Sequence, residues 1–218
     1  MGKSAIPAVP AGLRVVHADE RFVVVDKPAW LLSVPGKGEG KRDCVASRVA
    51  VMFPRATGPL VVHRLDMETS GLMVLGLDAD AQRELSGQFE ARVVEKRYVA
   101  LVAGGMLERD EGVIDLAMRA DVTRRPVQVV DAVMGRLART RWRVMGHEVD
   151  RVRMVFFPET GRTHQIRVHA AAGLGRPIVG DVLYGGPEAE RLMLHAEGLS
   201  FLVPGTRRRV EFASEAGF

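Results

Sequence analysis

The sequence predicts an α+β fold. Several segments alternate apolar and polar residues with the period of a half-buried strand, and others carry the wider apolar spacing of a helix. The two kinds are mixed without the regular β-α-β succession that builds a doubly wound parallel sheet. No internal repeat, low-complexity tract or linker interrupts the 218 residues. The simplest division is therefore one main domain over 13–218 behind a short N-terminal extension, 1–12.

Taken in order, Leu13 to His17 and Arg21 to Lys27 read as two strands around an Asp19-Glu20 turn. Lys27-Pro28 stops the second, because proline cannot donate to a strand ladder. A glycine- and lysine-containing surface loop follows, from Trp30 to Gly38. Asp43 is placed to cap a helix that runs to Phe53 and ends at Pro54. Cys44 falls in that helix region as a small buried thiol; as the single cysteine it allows no intrachain disulfide and points to a reducing compartment. Next, the apolar runs Val61-Val62 and Leu72 to Leu75 read as strands enclosing a polar segment, His63-Arg64-Leu65-Asp66, with Thr69-Ser70-Gly71 as the turn. A carboxylate held there by a sheet could serve as nucleophile or base, or as a plain Asx-turn or cap. The residues alone leave both open.

Asp78 caps a second helix with Ala81, Leu85 and Phe89 on its inward stripe. Glu95 to Ala103 reads as a strand with Tyr98 on the face of Lys96 and Ala100, and residues 108–135 as short strands and loops. Thr140 to Met145 and Arg151 to Phe157 alternate and form two strands joined by a polar turn at 147–150. A helix is expected from about Thr163 to Ala172, closed by Gly173, with His164 and Arg167 one turn apart on one side. The remainder returns to loops and strands, ending with Arg209 to Phe212.

Composition narrows the function. The pI near 9.6 and the seven arginines between Arg119 and Arg143, against Asp121 and Asp131, lean towards a polyanionic partner or a solvated arginine-rich face. No stretch has the length of a membrane span and the N-terminus lacks a signal-peptide core, so a cytoplasmic protein is expected. The histidines 147, 164, 169 and 195 lack metal-ligand spacing. No Gly-x-Ser-x-Gly elbow, dinucleotide glycine motif or P-loop is present. An enzyme working through side chains alone, or a basic nucleic-acid-binding module, remains.

Four blocks in register then carry a resemblance. His63-Arg64-Leu65-Asp66 with Thr69-Ser70-Gly71, Lys96-Arg97-Tyr98 with its apolar strand, the run from Thr160 to His169 continued by Gly175 to Asp181 and Tyr184-Gly185, and Leu194-His195-Ala196 together resemble the RluA-type pseudouridine synthases. Leu31 to Gly36, the chain length and the lack of an N-terminal S4-like domain most resemble the member that gives the family its name. The resemblance implies a catalytic domain with a central mixed, largely antiparallel sheet flanked by helices and loops. It implies an isomerase that cuts the uridine glycosidic bond, turns the base and rejoins it through carbon, with no cofactor and no metal. Asp66 would be the catalytic carboxylate, Tyr98 would stack on the base, and Arg167 would pair with Asp66. Arg64 would fill the space left by a flipped uridine. RNA contacts would come from His63, Arg64, Arg162, His164, Arg124 and Arg125, with Lys37 and Lys41 as further phosphate contacts. The implied partner is RNA, a 23S rRNA stem-loop and the anticodon stem-loop of some tRNAs, bound by a monomer without membrane association. Two departures stand out: Trp30 occupies a position where the family more often has glycine, and 127–139 matches only loosely.

Overall fold

A computed structural model describes residues 12–218; almost all of the expected extension 1–12 lies outside the described residues. The strands are β1 (Arg14–Ala18), β2 (Phe22–Lys27), β3 (Ser70–Gly76), β4 (Glu95–Ala103), β5 (Glu111–Ala120), β6 (Gln128–Val130), β7 (Arg136–His147), β8 (Arg151–Pro158), β9 (Leu194–Leu202) and β10 (Arg209–Ala213). The α-helices are α1 (Val45–Met52), α2 (Ala79–Glu90) and α3 (Gln165–Val168). This is the expected α+β class. The described chain divides into two compact units, one of residues up to Val94 plus Leu199–Ser214, the other of Glu95–Gly198 plus Glu215–Phe218.

In the first unit, β1, β2 and β3 pair antiparallel, with Phe22 opposite Gly76 and Lys27 opposite Gly71. All seven residues of β3 are buried, so both faces of that strand are covered. This explains why its sequence is a continuous apolar run rather than an alternation. Phe22, Val24, Leu72 and Val74 share a core with Leu85 of α2, Leu199 and Phe201. Phe22 and Phe201 meet edge to face at 5.3 Å.

Both helices of this unit begin at side-chain caps. Asp78 accepts the Ala81 N–H at 2.8 Å, as its position before an apolar stripe predicts. For α1 the expected cap is corrected: Cys44, not Asp43, is the N-cap. Its sulfur accepts the Ser47 N–H while Ser47 Oγ accepts the Cys44 N–H, a reciprocal capping box. Asp43 instead receives two hydrogen bonds from Arg48, at 2.7 and 2.8 Å, which hold its carboxyl below the usual range. The Cys44 thiol is wholly buried, as expected.

In the second unit β4 pairs with β8, β8 with β7, β7 with β5 and β5 with β6, all antiparallel. Ala100, Val102, Ile114, Trp142, Met154 and Phe156 form its core with Ile166 and Ala170. Within 108–135, expected as short strands and loops, β5 is a ten-residue strand. Two further expectations change. Val61 makes only an isolated bridge to Leu75, so 61–69 is a loop, and Ser70 and Gly71 begin β3 rather than break it. The helix expected over 163–172 is one α-helical turn, 165–168, followed by a π-helical turn at 169–173. His164 precedes it in a left-handed conformation, φ 55°, so it is the cap and not the first residue of a shared helical face.

Candidate active site

In the first unit, the Asp66 loop is fixed by atoms on either side of the carboxylate. Ser33 Oγ donates to Leu65 C=O at 2.6 Å and accepts the Leu65 N–H at 3.0 Å. The Asp66 carbonyl accepts the Thr69 N–H at 3.1 Å, closing a turn. The Met67 carbonyl receives both the Trp30 N–H at 2.7 Å and the Lys27 ammonium at 3.0 Å. Lys27 is fully buried and also donates to the carbonyls of Pro28 and Leu31, so a cation is held under this loop by backbone dipoles. Trp30 has φ 69°, the left-handed region that favours glycine over a residue with a side chain. Asp66 itself is half-buried and Arg64 is exposed. The successive carbonyls of Leu65, Asp66 and Met67 are thus each anchored, so the backbone that carries the Asp66 carboxylate is held in place.

His63 is half-buried. Its ring stacks on Phe89 at 4.3 Å, and Nε2 accepts the Val74 N–H at 3.1 Å, pinning the loop to β3. Replacing Ser33 by alanine leaves the buried N–H and C=O of Leu65 without that hydroxyl. We expect a loss of about 1–3 kcal/mol in stability, read from urea unfolding midpoints.

In the second unit, Arg167 is 2% exposed and Asp181 is fully buried. Arg167 Nε and one terminal nitrogen donate to the two carboxylate oxygens of Asp181 at 2.8 and 2.7 Å, a two-pronged pair that fixes the guanidinium plane. The Tyr184 ring lies 5.3 Å from the guanidinium carbon. Gly180 sets the turn before Asp181: its φ is +80°, and a Cβ there would stand 2.0 Å from the Arg191 carbonyl oxygen. His164 is buried, with Nδ1 2.8 Å from Tyr184 Oη. Tyr98 is half-buried on β4, opposite Phe156 of β8, and packs against the core of this unit.

A buried polar network seats the Arg167 helix. Gln165 donates to Arg139 C=O and Thr140 Oγ1 and accepts from Thr160 Oγ1, while the Arg139 N–H donates to that same Thr160 oxygen. His169 Nδ1 lies 2.8 Å from Thr140 Oγ1. Burial pushes the His169 imidazole down to about 4, with Asp115 opposing the shift weakly. A base whose folded value lies below its unfolded one binds protons preferentially when unfolded. Its stability contribution is complete above about pH 6.5 and is lost as pH falls towards about 4. We expect about 2 kcal/mol to be lost between neutrality and pH 5 from this group. Urea midpoints across that range check it, with His169→Asn flattening the slope.

Of the basic residues, Arg124 and Arg125 are exposed on the turn between β5 and β6. Arg124 pairs with Asp121 at 2.8 Å, and that carboxyl is held well below its usual range by the Thr123 hydroxyl and Arg124. Arg119 pairs with Asp131, and Arg139 and Arg141 with Glu159, so part of the arginine run is internally neutralised. Among the described residues Arg125, Arg136 and Arg143 have no carboxylate within 4.0 Å. Arg162 is half-buried, with its side chain on the Leu137 carbonyl at 3.3 Å. Lys27, Ser33 and the Asp181 pairing were not read from the sequence, since their partners lie 14 to 40 residues away. No group of three or more His, Cys, Asp or Glu among the described residues is arranged to hold a metal ion.

The sequence matches the family model described as RNA pseudouridylate synthase over residues 21–172. It is 43% identical over 209 residues to a Yersinia pestis protein named dual-specificity RNA pseudouridine synthase RluA, covering 94% of this chain and 99% of that one. The protein of the same name from Escherichia coli K12 is 42% identical over 211 residues, covering 94% of each chain. Among solved structures, human RNA pseudouridylate synthase domain containing 1 aligns with a TM-score of 0.76 and 27% identity, over 99% of this chain and 86% of that one. Human RNA pseudouridylate synthase domain containing 4 aligns with a TM-score of 0.75 and 25% identity, over 93% and 88%. The fold is theirs as well as the sequence pattern, and the chain belongs to the RNA pseudouridylate synthase family, with the activity of an RNA pseudouridine synthase, an isomerase.

Proposed function

We propose that this isomerase converts specific uridines to pseudouridine in structured RNA stem-loops, with 23S rRNA and the anticodon stem-loop of some tRNAs as its substrates. The observation that carries the double substrate is near full-length identity of 43% to a relative named dual-specificity. The exposed arginine-bearing turn of the second unit supports an RNA partner. In this reading Asp66 is the catalytic carboxylate, attacking sugar or base or removing a sugar proton. Tyr98 stacks on the base and assists the final deprotonation. The resemblance gives Arg167 the role of keeping Asp66 ionised, as a cation does for a carboxylate it pairs with. Arg64, exposed beside Asp66, fills the stack vacated by the flipped uridine, a step that costs a few kcal/mol. Arg124, Arg125, Arg162, His164 and His63 hold the RNA, and His63 also ties the loop that carries Arg64 and Asp66 to β3. Residues 13–218 act as one catalytic domain in a cytoplasmic monomer. Among the described residues no helix is long and apolar enough to cross a membrane.

RNA tritiated at carbon five of uracil tests the reading directly. Release of tritium from both a tRNA anticodon stem-loop and 23S rRNA is expected. Release from one alone makes the enzyme single-specificity, and binding without release from either makes it a non-catalytic RNA-binding factor.

A further inference from the structure

The Tyr184 hydroxyl stands between two elements with different tasks. It accepts the Gln128 N–H at 2.8 Å, where β6 leaves the turn that carries Arg124 and Arg125. The same oxygen is 2.8 Å from His164 Nδ1. A hydroxyl has one proton to give and two lone pairs that accept, so one oxygen can serve the Gln128 amide and the His164 ring together, whichever imidazole tautomer is present. His164 caps the turn of helix that carries Arg167, and its carbonyl accepts the Val168 N–H at 2.9 Å. The Tyr184 ring faces the Arg167 guanidinium, and the Tyr184 N–H approaches the Asp181 carbonyl at 3.3 Å. Both oxygens of the Asp181 carboxylate accept from that guanidinium, at 2.8 and 2.7 Å.

We propose that Tyr184 is a positioning residue for Arg167, and that its hydroxyl links the Arg124–Arg125 turn to the orientation of that arginine. The inference rests on Arg167 acting in catalysis. RNA phosphates drawn to the turn shift or stiffen the segment 121–128. The turn is closed by Asp121 N–H to Val127 C=O at 2.9 Å, so displacement at Arg125 reaches Gln128 through a short hydrogen-bonded loop. From Gln128 the path is one hydroxyl to the cap of α3. Binding at the turn and readiness at Arg167 thereby become one event. A tyrosine that only filled space would need its ring, packed on Met118, Ala138 and Val168, and would not need its oxygen.

Tyr184→Phe removes the oxygen and keeps the ring. With a tritiated stem-loop RNA we expect kcat to fall about tenfold, the scale of one lost directional hydrogen bond, while KM and RNA affinity stay within about twofold. Arg125→Ala in the wild-type background should raise KM and lower kcat about threefold; in the Tyr184→Phe background it should raise KM alone. Wild-type kcat in Tyr184→Phe, or an equal kcat loss from Arg125→Ala in both backgrounds, overturns the link. Arg167→Ala serves as the separate check. Wild-type turnover in that variant removes the role of Arg167 itself, whereas an inactive Arg167→Ala with an unimpaired Tyr184→Phe sinks only the link. Melting temperature is recorded for each variant, and kcat is expressed per folded molecule so that instability does not pass for a kinetic effect.

Discussion

Asp66→Ala lowers kcat by more than about a thousandfold and changes RNA affinity by less than about threefold; that is the expected result with the largest effect. The local geometry makes it a clean experiment. Ser33 binds both backbone groups of Leu65, Thr69 binds the Asp66 carbonyl, and Lys27 and Trp30 bind that of Met67. None of these contacts uses the Asp66 side chain. These backbone anchors remain when the Asp66 side chain is truncated at Cβ. Affinity should hold, because loss of one negative charge works in favour of an RNA phosphate and against none of the arginines. Asp66→Asn should be as inactive, since it keeps the shape without the charge. Tritium release under single-turnover conditions and filter binding report the two quantities separately, and wild-type turnover in either variant removes Asp66 from the catalytic role.

Asp181→Ala gives the largest expected effect on stability. The pair it breaks is almost wholly out of water, 2% and 0% exposed at the two side chains. Removing one partner strips a buried guanidinium of its two-pronged carboxylate, a change that costs about 3–5 kcal/mol. For a chain of this length the melting temperature should fall by roughly 10 °C. Arg83 and Asp80 form a pair at 2.7 Å as well, but they are 75% and 71% exposed. Asp80→Ala should then change stability by less than about 1 kcal/mol, because water screens that pair. A melting temperature within about 2 °C of wild type for Asp181→Ala would falsify the buried-pair account.

What could be read from the sequence follows how local the determinants are. Strand β4 was legible because its charged start and apolar end sit side by side, and α2 because Asp78 precedes its stripe directly. β5 was obscured by Val113 and Ala117, apolar residues on the face opposite Ile114 and Met118, which blur the alternation. The 164–173 segment looked helical by composition. His164 turns left-handed at its start, and Gln165 uses its amide on β7, so the regular helix is only one turn. Asp66, Tyr98 and Arg167 stand out in motifs. Their supports do not: Lys27 read as the end of a strand and Ser33 as part of a loop. Only folding brings Lys27 to Met67, Ser33 to Leu65 and Asp181 to Arg167. The dull positions hold the conspicuous ones.

The cap of α1 has a practical corollary. Cys44 is the sole thiol of the chain, it is wholly buried, and its sulfur and amide are both tied to Ser47. An alkylating reagent can reach it only after the first turn of that helix comes apart. The rate of labelling in native buffer therefore counts openings of the segment next to the 30–38 loop. Followed with and without RNA, one sulfur atom becomes a clock for how far RNA quiets the start of α1, which is bridged to the 30–38 loop at Leu32.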